Sequence, residues 1–248
     1  MWLSRLELAA DAPEQREFWR EVSSPGGAHR ALWKVFSRSK TQPRDFLFRQ
    51  DDLGVRGAGR VAFFVLSTQR PNEDSAGIWS VETKPFSPVL REGDRLRFSL
   101  RASATVKRPR EAAAQGQERR QGKRHDVVMD LLHRSGGKGG ELEVVDAIQA
   151  AGIRWLAAKA QRAGFELDQD VGGIEVDGLL GERRDAVRVD GYRQHRVPRR
   201  DKTPIQFSTL DFEGRLVVRD PELFLRQLTA GFGPQKAFGC GLMLLRRV

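Results

Sequence analysis

The sequence predicts an α+β fold made of two similar halves that follow one another along the chain. Short runs of alternating apolar residues, typical of strands, are interspersed with segments that have helical apolar spacing. The order of these segments begins again after about residue 91. The chain has 248 residues, which is enough for one large domain or two small ones. We therefore expect two α+β domains in tandem.

The first half is predicted to contain strand, helix, two strands, a turn or very short helix, and a last strand. The opening segment MWLSRLEL alternates apolar and polar residues and predicts a strand. Ser24 as N-cap and Pro25 at the first position predict the start of the main helix, whose apolar face includes Leu32. The other elements predicted here are a short helix at 13–22 and strands at 43–49, 60–69 and 78–86. This order is that of a ferredoxin-like domain.

The second half repeats the order with insertions. Its predicted elements are a strand at 95–102, helices at 127–135 and 144–165, strands at 171–180, 186–197 and 205–218, a helix from Pro221 and a last strand at 239–247. Residues 103–125 are polar and basic, and we expect them to form an exposed excursion. The predicted fold is thus two tandem ferredoxin-like (RRM-like) domains, residues 1–91 and 92–248, with basic loop insertions in the second.

Positive charge is concentrated in two segments. The formal net charge is +10, from 43 Lys and Arg against 33 Asp and Glu. Residues 103–138 hold nine basic and four acidic side chains, and residues 183–202 hold eight and three, so these segments contain the whole excess. Such a distribution indicates a polyanionic partner, with nucleic acid as the first candidate and an anionic membrane surface as the second. The alternative is a pair of solvated loops.

Several classes of protein do not fit the sequence. The single cysteine, Cys240, cannot form an intrachain disulfide, which suits a reducing cytoplasm. The N-terminus has no signal-peptide pattern, and the apolar runs are far shorter than a membrane-spanning helix requires. There is no CxxC, no GxSxG, no metal-type histidine pair and no acidic cluster typical of two-metal nucleases. We therefore expect no metal and no cofactor.

The stretch GFGPQKAFGCG near the C-terminus is rich in glycine. Its glycines surround Pro234 and Lys236 and are Gly231, Gly233, Gly239 and Gly241. The stretch lacks the spacing of a dinucleotide fingerprint and the Gly-Lys-Ser/Thr of a P-loop. Two interpretations remain open. One is a helix C-cap followed by a tight turn, and the other is a loop whose backbone approaches a phosphate while Lys236 adds charge.

His29 precedes the apolar residues of the main helix of the first half by three, four and seven positions, so it lies near the apolar face. It is either a core or boundary histidine bonded to the backbone, or a general acid, because an imidazole titrates near neutral pH. Lys34 lies on another face of the same helix, and Ser37 lies two turns further on.

The segments MWLSRLEL, HRALWKVF, RDFLFR, PIQFSTLDFEGRLVV and GFGPQKAFGCGLMLL together resemble the CasE family, the CRISPR repeat-processing endoribonucleases of type I-E systems. They occur in the family's order and span nearly the whole chain. The resemblance implies metal-independent cleavage of CRISPR precursor RNA at the base of the repeat hairpin. Attack of the 2′-hydroxyl on the adjacent phosphate would leave 2′,3′-cyclic phosphate and 5′-hydroxyl ends. The protein would stay bound to the product within the multi-subunit surveillance complex called Cascade.

The resemblance also implies roles for residues. His29 matches the catalytic histidine, and Lys34 and Ser37 are candidates to stabilise the pentacoordinate phosphate. The residues expected to bind RNA, besides Lys236 and the loop glycines, are Arg119, Arg120, Lys123, Arg124, Arg196, Arg199, Arg200 and Lys202. Family members often have a tyrosine three residues before the histidine, where this chain has Gly26. A non-catalytic RNA-binding subunit of the same fold, or a basic scaffold that binds only proteins, therefore remains an alternative.

Overall fold

Each half of the chain forms one main antiparallel sheet. A computed structural model of the chain describes residues 1–9, 15–22, 26–36, 46–52, 61–72, 78–108, 124–136, 143–168, 187–199 and 202–248. Within these ranges the elements, in chain order, are β1 (Trp2–Leu8), α1 (Gln15–Val22), α2 (Gly27–Phe36), β2 (Phe46–Asp52), β3 (Val61–Ser67), β4 (Trp79–Pro85), β5 (Arg95–Ala102), β6 (Thr105–Lys107), β7 (Arg124–Asp126), α3 (Val127–Arg134), α4 (Val144–Ala160), β8 (Phe165–Leu167), β9 (Val187–Arg199), β10 (Lys202–Val218), α5 (Pro221–Ala230), a 3₁₀ helix (Lys236–Phe238) and β11 (Met243–Arg247).

The first sheet has the strand order β2-β3-β1-β4, and each neighbouring pair is antiparallel. Helices α1 and α2 form the crossover from β1 to β2, and β3 lies between the two strands that this crossover joins. This is the split βαβ arrangement of a ferredoxin-like domain. The order also makes β2 an edge strand, which matters for the candidate active site.

The second sheet repeats this topology. Its strand order is β11-β5-β10-β8, and β9 pairs with β10 in addition. In chain order, β5, β8, β10 and β11 correspond to β1, β2, β3 and β4. With this correspondence, the order β8-β10-β5-β11 of the second sheet matches the order β2-β3-β1-β4 of the first. Helix α4 then occupies the first crossover and α5 the second. The prediction of two tandem ferredoxin-like folds is confirmed.

Large apolar side chains fill a core beneath each sheet. In the first core, Leu6, Phe63 and Leu32 are fully buried. In the second, Phe212 is fully buried and the ring of Trp155 on α4 stacks on it at a centroid distance of 5.7 Å. Burying one such side chain contributes about 1.5–3 kcal/mol. The alternation along each strand therefore decides which face of the sheet the helices cover.

The chain divides into two compact units. The first contains Met1–Val89, Arg196–Ile205 and Gln227–Met243, and the second contains Leu90–His195, Gln206–Arg226 and Leu244–Val248. The tip of the β9–β10 hairpin and the glycine-rich loop thus group with the first unit, although they lie in the second half of the sequence.

The end of α4 differs from its prediction. The helical pattern predicts a helix to residue 165, but α4 ends at Ala160 and Phe165 begins β8. Gly164 has a φ of +72°, and its carbonyl accepts a hydrogen bond of 2.8 Å from the backbone N–H of Arg219. A glycine in this left-handed conformation turns the chain out of the helix. The apolar residues that follow therefore extend the sheet instead of the helix.

Other local predictions concern the surface. The excursion predicted at 103–125 begins and ends in a small hairpin of β6 and β7, which the sequence did not indicate. The strand predicted at 171–180, and Ser24 and Pro25 at the predicted helix start, lie outside the described residues. No helix within the described ranges is long and apolar enough to cross a membrane.

Candidate active site

The imidazole of His29 is held among aromatic rings. His29 is the third residue of α2, within its first turn, and is half-buried. Its ring stacks on Phe46 at a centroid distance of 5.3 Å and an angle of 23°, and on Trp33 at 6.1 Å and 19°. Phe48 lies at 6.1 Å with a tilted ring. Because apolar rings cover part of the imidazole, its orientation is restricted while one side remains accessible.

Strand β2 supplies two of these rings. Phe46 and Phe48 are two residues apart, so their side chains point to the same face of the strand, and Leu47 points to the opposite face. Phe48 is 2% exposed and belongs to the first core, whereas Phe46 packs at its margin. The alternation of a buried strand therefore places two aromatic side chains against the helix that carries the histidine.

The glycine-rich loop closes on both faces of β2. A Cβ placed on Gly231 would lie 2.8 Å from the Cδ1 of Leu47, and one on Gly239 would lie 3.3 Å from the Cε2 of Phe48. Both glycines have φ near +75°, so they allow backbone turns and close approach together. Edge strands expose unpaired backbone groups, and this loop covers the edge of β2.

The loop also has a regular internal structure. The N–H of Gly231 donates to the carbonyl of Gln227 at 2.8 Å and closes α5, as expected of a helix C-cap. The N–H of Phe232 donates to the carbonyl of Gly241 at 2.9 Å, which draws the two ends of the loop together. Gly233 and Gly241 also have positive φ. The ammonium of Lys236 donates to the carbonyl of Ala230 at the end of α5.

The loop reaches the start of α2. Gly26, immediately before this helix, has a φ of +73°, and a Cβ on it would lie 3.7 Å from the Cε1 of Phe238. The N-terminus of α2, the aromatic residues of β2 and the loop therefore surround His29 within the first unit. An imidazole in this position can donate a proton to a bound anion, and nearby backbone N–H groups can approach a phosphate.

Lys34 and Ser37 are the other two residues with a predicted catalytic role. The Nζ of Lys34 donates to the Oε2 of Glu21 on α1 at 3.0 Å, and the lysine side chain is 68% exposed. The structure therefore gives Lys34 an ion pair between the two helices. Ser37 lies outside the described residues.

The basic residues predicted to bind RNA are exposed where the structure describes them. Arg124 lies on β7, Arg196 and Arg199 lie on β9, and Lys202 opens β10. The other four, Arg119, Arg120, Lys123 and Arg200, lie outside the described residues. The described part of the basic surface thus consists largely of the β9–β10 hairpin.

A polar network lies in the second unit. Asp126 caps α3 by accepting a hydrogen bond of 2.8 Å from the N–H of Met129, and it accepts another from the hydroxyl of Ser208. Burial raises the pKa of the Asp126 carboxyl, although hydrogen bonds from backbone N–H groups and from Tyr192 act in the opposite direction. The pKa of Tyr192 is also raised, mainly by burial. This network joins α3 to β9 and β10.

His195 lies next to this network in sequence. Its Nε2 lies 2.9 Å from the Oγ1 of Thr209, and its ring stacks on Phe207 at 4.7 Å. Burial, and then the charges of Arg193 and Arg101, lower the pKa of His195. Burial and the neighbouring guanidinium charges therefore both favour the neutral form of the ring. Among the residues that the structure describes, no three His, Cys, Asp or Glu side chains cluster as a metal site would require.

Comparison with known proteins identifies the family. A family model described as CRISPR associated protein matches residues 1–247. The chain belongs to this family. It is 30% identical, over 98% of both chains, to the CRISPR-associated endoribonuclease Cse3 of Thermus thermophilus. It is 24% identical, over 88% of its length and 89% of the relative, to the CRISPR system Cascade subunit CasE of Escherichia coli K12.

A solved structure has the same fold as this chain. Thermus thermophilus Cse3 bound to an RNA representing a pre-cleavage complex has a TM-score of 0.68 and 30% identity, covering 99% of this chain and 98% of that one. The predicted resemblance to CasE-type proteins is therefore confirmed.

For this CRISPR associated protein, the sequence indicated the histidine but not its surroundings. Phe46 and Phe48 were assigned only to a strand, although their spacing puts both on one face. That spacing is the signal that could have identified them. No comparable signal indicated that the glycine-rich loop, almost two hundred residues later, lies against the same strand.

Proposed function

We propose that the chain is an endoribonuclease that processes CRISPR repeat RNA. It cuts the precursor at the base of the repeat hairpin and then stays bound to the mature guide RNA. Similarity along the whole chain to a CRISPR-associated endoribonuclease supports the activity. The observation that carries the proposal is the placement of His29, stacked on Phe46 at 5.3 Å beside the start of α2 and the glycine-rich loop.

The proposed reaction needs no metal, cofactor or water. The 2′-oxygen forms a bond to the adjacent phosphorus as its proton leaves, and the bond from phosphorus to the 5′-oxygen breaks. His29 gives a proton to that 5′-oxygen, so the products carry a 2′,3′-cyclic phosphate and a 5′-hydroxyl. Lys34 and Ser37 are proposed to stabilise the charge that develops on the phosphate. The base that accepts the first proton is not assigned, because Gly26 stands where a tyrosine would be expected.

RNA binding is proposed for the basic residues and the glycine-rich loop. The exposed arginines of the β9–β10 hairpin can follow a phosphate backbone, since guanidinium groups pair with phosphate oxygens. The loop glycines are proposed to bring the loop backbone close to a phosphate, with the partly exposed Gly233 at the surface and the buried Gly231, Gly239 and Gly241 shaping the turns. We propose that residues 1–91 and 92–248 are the two domains and that other Cascade subunits are protein partners, as for the relative named as a Cascade subunit. The proposed location is the cytoplasm.

A cleavage assay tests the activity. End-labelled repeat hairpin RNA is incubated in EDTA with the wild type, with His29→Ala and with His133→Ala, and the product ends are mapped. His133 is an exposed histidine on α3 and provides a matched control. We expect His29→Ala to lose about 10²- to 10⁴-fold in cleavage rate with little change in affinity. Cleavage by His29→Ala at the wild-type rate would overturn the assignment.

The role of Lys34 is tested separately. If the ammonium acts on the phosphate, Lys34→Ala slows cleavage while Glu21→Gln does not. If Lys34 serves only the ion pair with Glu21, both variants have similar, small effects on stability and none on the rate.

A second candidate function is a non-catalytic RNA-binding subunit of the same fold. Gly26 favours it, because the chain lacks a tyrosine there. Tight binding of the repeat RNA by the wild type without cleavage in any buffer would select this alternative. A basic scaffold that binds only proteins would show no RNA affinity that falls linearly with the logarithm of salt concentration.

A further inference from the structure

The guanidinium of Arg30 lies beside Gly26, at the start of the helix that carries His29. A Cβ placed on Gly26 would lie 3.7 Å from the Nη1 of Arg30. The backbone N–H of Arg30 donates to the carbonyl of Gly26 at 3.2 Å, so these two residues close the first turn of α2. The long side chain of Arg30 therefore turns back along the helix toward its first residue, as helical side chains generally do.

The glycine-rich loop reaches the same point. The Cε1 of Phe238 is also 3.7 Å from the Cβ that Gly26 lacks. Among the described residues, no third side chain comes within 4 Å of that position. The guanidinium and the phenyl ring therefore border a space that a side chain at position 26 would fill. Arg30 is exposed, and Gly26 and Phe238 are partly exposed, so a ligand can enter this space from solvent.

His29 is adjacent to this space on the helix. It follows Gly26 by three residues and Arg30 follows by four, and residues at these two spacings are neighbours on a helix surface. The imidazole is held by its stack on Phe46 at 5.3 Å. An anion bound beside Gly26 would therefore lie near one group that can donate a proton and another that carries a permanent positive charge.

The other basic side chain of α2 is placed differently. The Nζ of Lys34 lies 3.0 Å from the Oε2 of Glu21 on α1, whereas the guanidinium of Arg30 lies at Gly26. A guanidinium has five N–H donors, so it can bind phosphate oxygens and keep a contact with the protein at the same time. Arg30 is thus well placed to meet a phosphate next to His29.

We propose that Arg30 binds the scissile phosphate in this space, with two parallel hydrogen bonds to its non-bridging oxygens. The proposal rests on the proposed function and adds one catalytic residue to it. The guanidinium offsets the charge that grows on these oxygens as the 2′-oxygen attacks, and it holds the phosphate where His29 can protonate the leaving 5′-oxygen. Arg30 moves no proton, because a guanidinium stays protonated in proteins. It is therefore not the base that accepts the 2′-proton.

The contact is tested by neutralising the phosphate as well as the arginine. Repeat hairpin RNA with a 2′-deoxy substitution at the base of the hairpin, which prevents cutting, is made with either a phosphodiester or an uncharged methylphosphonate at that position. The affinity of each RNA is measured for the wild type, Arg30→Ala and Arg154→Ala. Arg154 is an exposed arginine on α4 and provides the matched control.

We expect the wild type and Arg154→Ala to bind the phosphodiester about tenfold more tightly than the methylphosphonate, because a charged hydrogen-bonded pair is lost with the neutral group. In Arg30→Ala this preference should fall close to one. A preference in Arg30→Ala equal to that of the wild type would overturn the proposal. Melting temperatures identify a variant that fails to fold, and in that case Arg30→Lys is used, for which we expect an intermediate preference because an ammonium lacks the planar fork.

Cleavage of unmodified RNA is measured in the same preparations. We expect Arg30→Ala to lose about 10²- to 10³-fold in single-turnover rate and to recover part of it when guanidinium ions are added below the concentration that unfolds the protein. His29→Ala should gain nothing from guanidinium. Wild-type cleavage with an equal rate for Arg30→Ala would overturn the catalytic role of Arg30 alone. A wild type that does not cleave, but whose preference for the phosphodiester depends on Arg30, would overturn the proposed function and leave the phosphate contact standing.

Discussion

Gly239 lies so close to the ring of Phe48 that a Cβ on the glycine would be 3.3 Å from the Cε2 atom. The ring of Phe48 in turn lies 6.1 Å from the imidazole of His29. One aromatic side chain therefore separates the glycine-rich loop from the candidate general acid. A change in the loop at this point reaches the histidine through a single ring.

Gly239→Ala should reduce both stability and cleavage. An alanine at a φ of +78° costs about 1–2 kcal/mol in backbone strain, and its methyl group displaces Phe48. We expect a lower melting temperature and a single-turnover cleavage rate reduced about tenfold or more. Gly93→Ala is the control, because Gly93 has a φ of +85° with no atom within 4 Å of the added Cβ. If both variants cleave at the wild-type rate, the loop does not position His29.

Phe46→Leu should reduce the cleavage rate without reducing RNA affinity. Leucine keeps an apolar side chain but removes the flat surface on which His29 stacks at 5.3 Å. Misplacement of a catalytic group by about 1 Å can cost on the order of 100-fold in rate, so we expect a 10- to 100-fold loss, with roughly the same Kd. Phe64→Leu, on the opposite face of the sheet at β3, is the comparison for loss of ring volume alone. Equal rates for the two variants would show that stacking does not matter.

Replacement of Gly26 tests whether a tyrosine at this position acts as the base. Gly26→Tyr and Gly26→Phe carry the same backbone strain, about 1–2 kcal/mol at a φ of +73°, and they differ by one hydroxyl group. The nearest atoms to an added Cβ are at 3.7 Å, so the first carbon of either side chain is in ordinary van der Waals contact. We expect the tyrosine variant to cleave about tenfold faster than the phenylalanine variant. Identical rates would mean that another group removes the 2′-proton.

Asp126→Asn should change the dependence of stability on pH. The folded protein holds the pKa of Asp126 above its ordinary value, so the native state binds this proton more tightly than the unfolded state does. The resulting stabilisation is complete below the unfolded pKa and disappears as the pH rises through the folded pKa. Asparagine cannot ionise and can still cap α3. Urea unfolding at several pH values should therefore show the variant gaining stability relative to the wild type as the pH rises from about 4 toward neutrality.

Asp126→Ala separates titration from capping in that experiment. It loses the bond to the N–H of Met129 and should be about 1 kcal/mol less stable than Asp126→Asn at every pH. A constant difference between wild type and Asp126→Asn across the pH range would contradict the assigned titration.

The topology could be predicted from the sequence because alternation and helical spacing reflect burial. Leu96, Phe98 and Leu100 alternate in sequence, and all three are buried on one face of β5. The end of α4 could not be predicted in this way, because apolar residues continue through Phe165. The conformation of Gly164 and its bond to Arg219 determine that end, and both depend on residues distant in sequence.

The candidate site was only partly predictable for the same reason. The position of His29 on the helix follows from its spacing to Leu32, but its stacking on Phe46 depends on the pairing of β2 with β3. Lys34 was selected for its charge, and the sequence did not indicate that Glu21 would bind it.

Because the glycine-rich loop covers β2, a truncated protein that lacks this loop is expected to behave differently from the full chain. A fragment ending at residue 91 would contain every strand of the first sheet but would lack Gln227–Met243, which protects the edge of β2. A bare edge strand recruits strands from other molecules. Such a fragment should self-associate as its concentration rises, and the same fragment with the loop peptide fused behind it should remain monomeric to higher concentration.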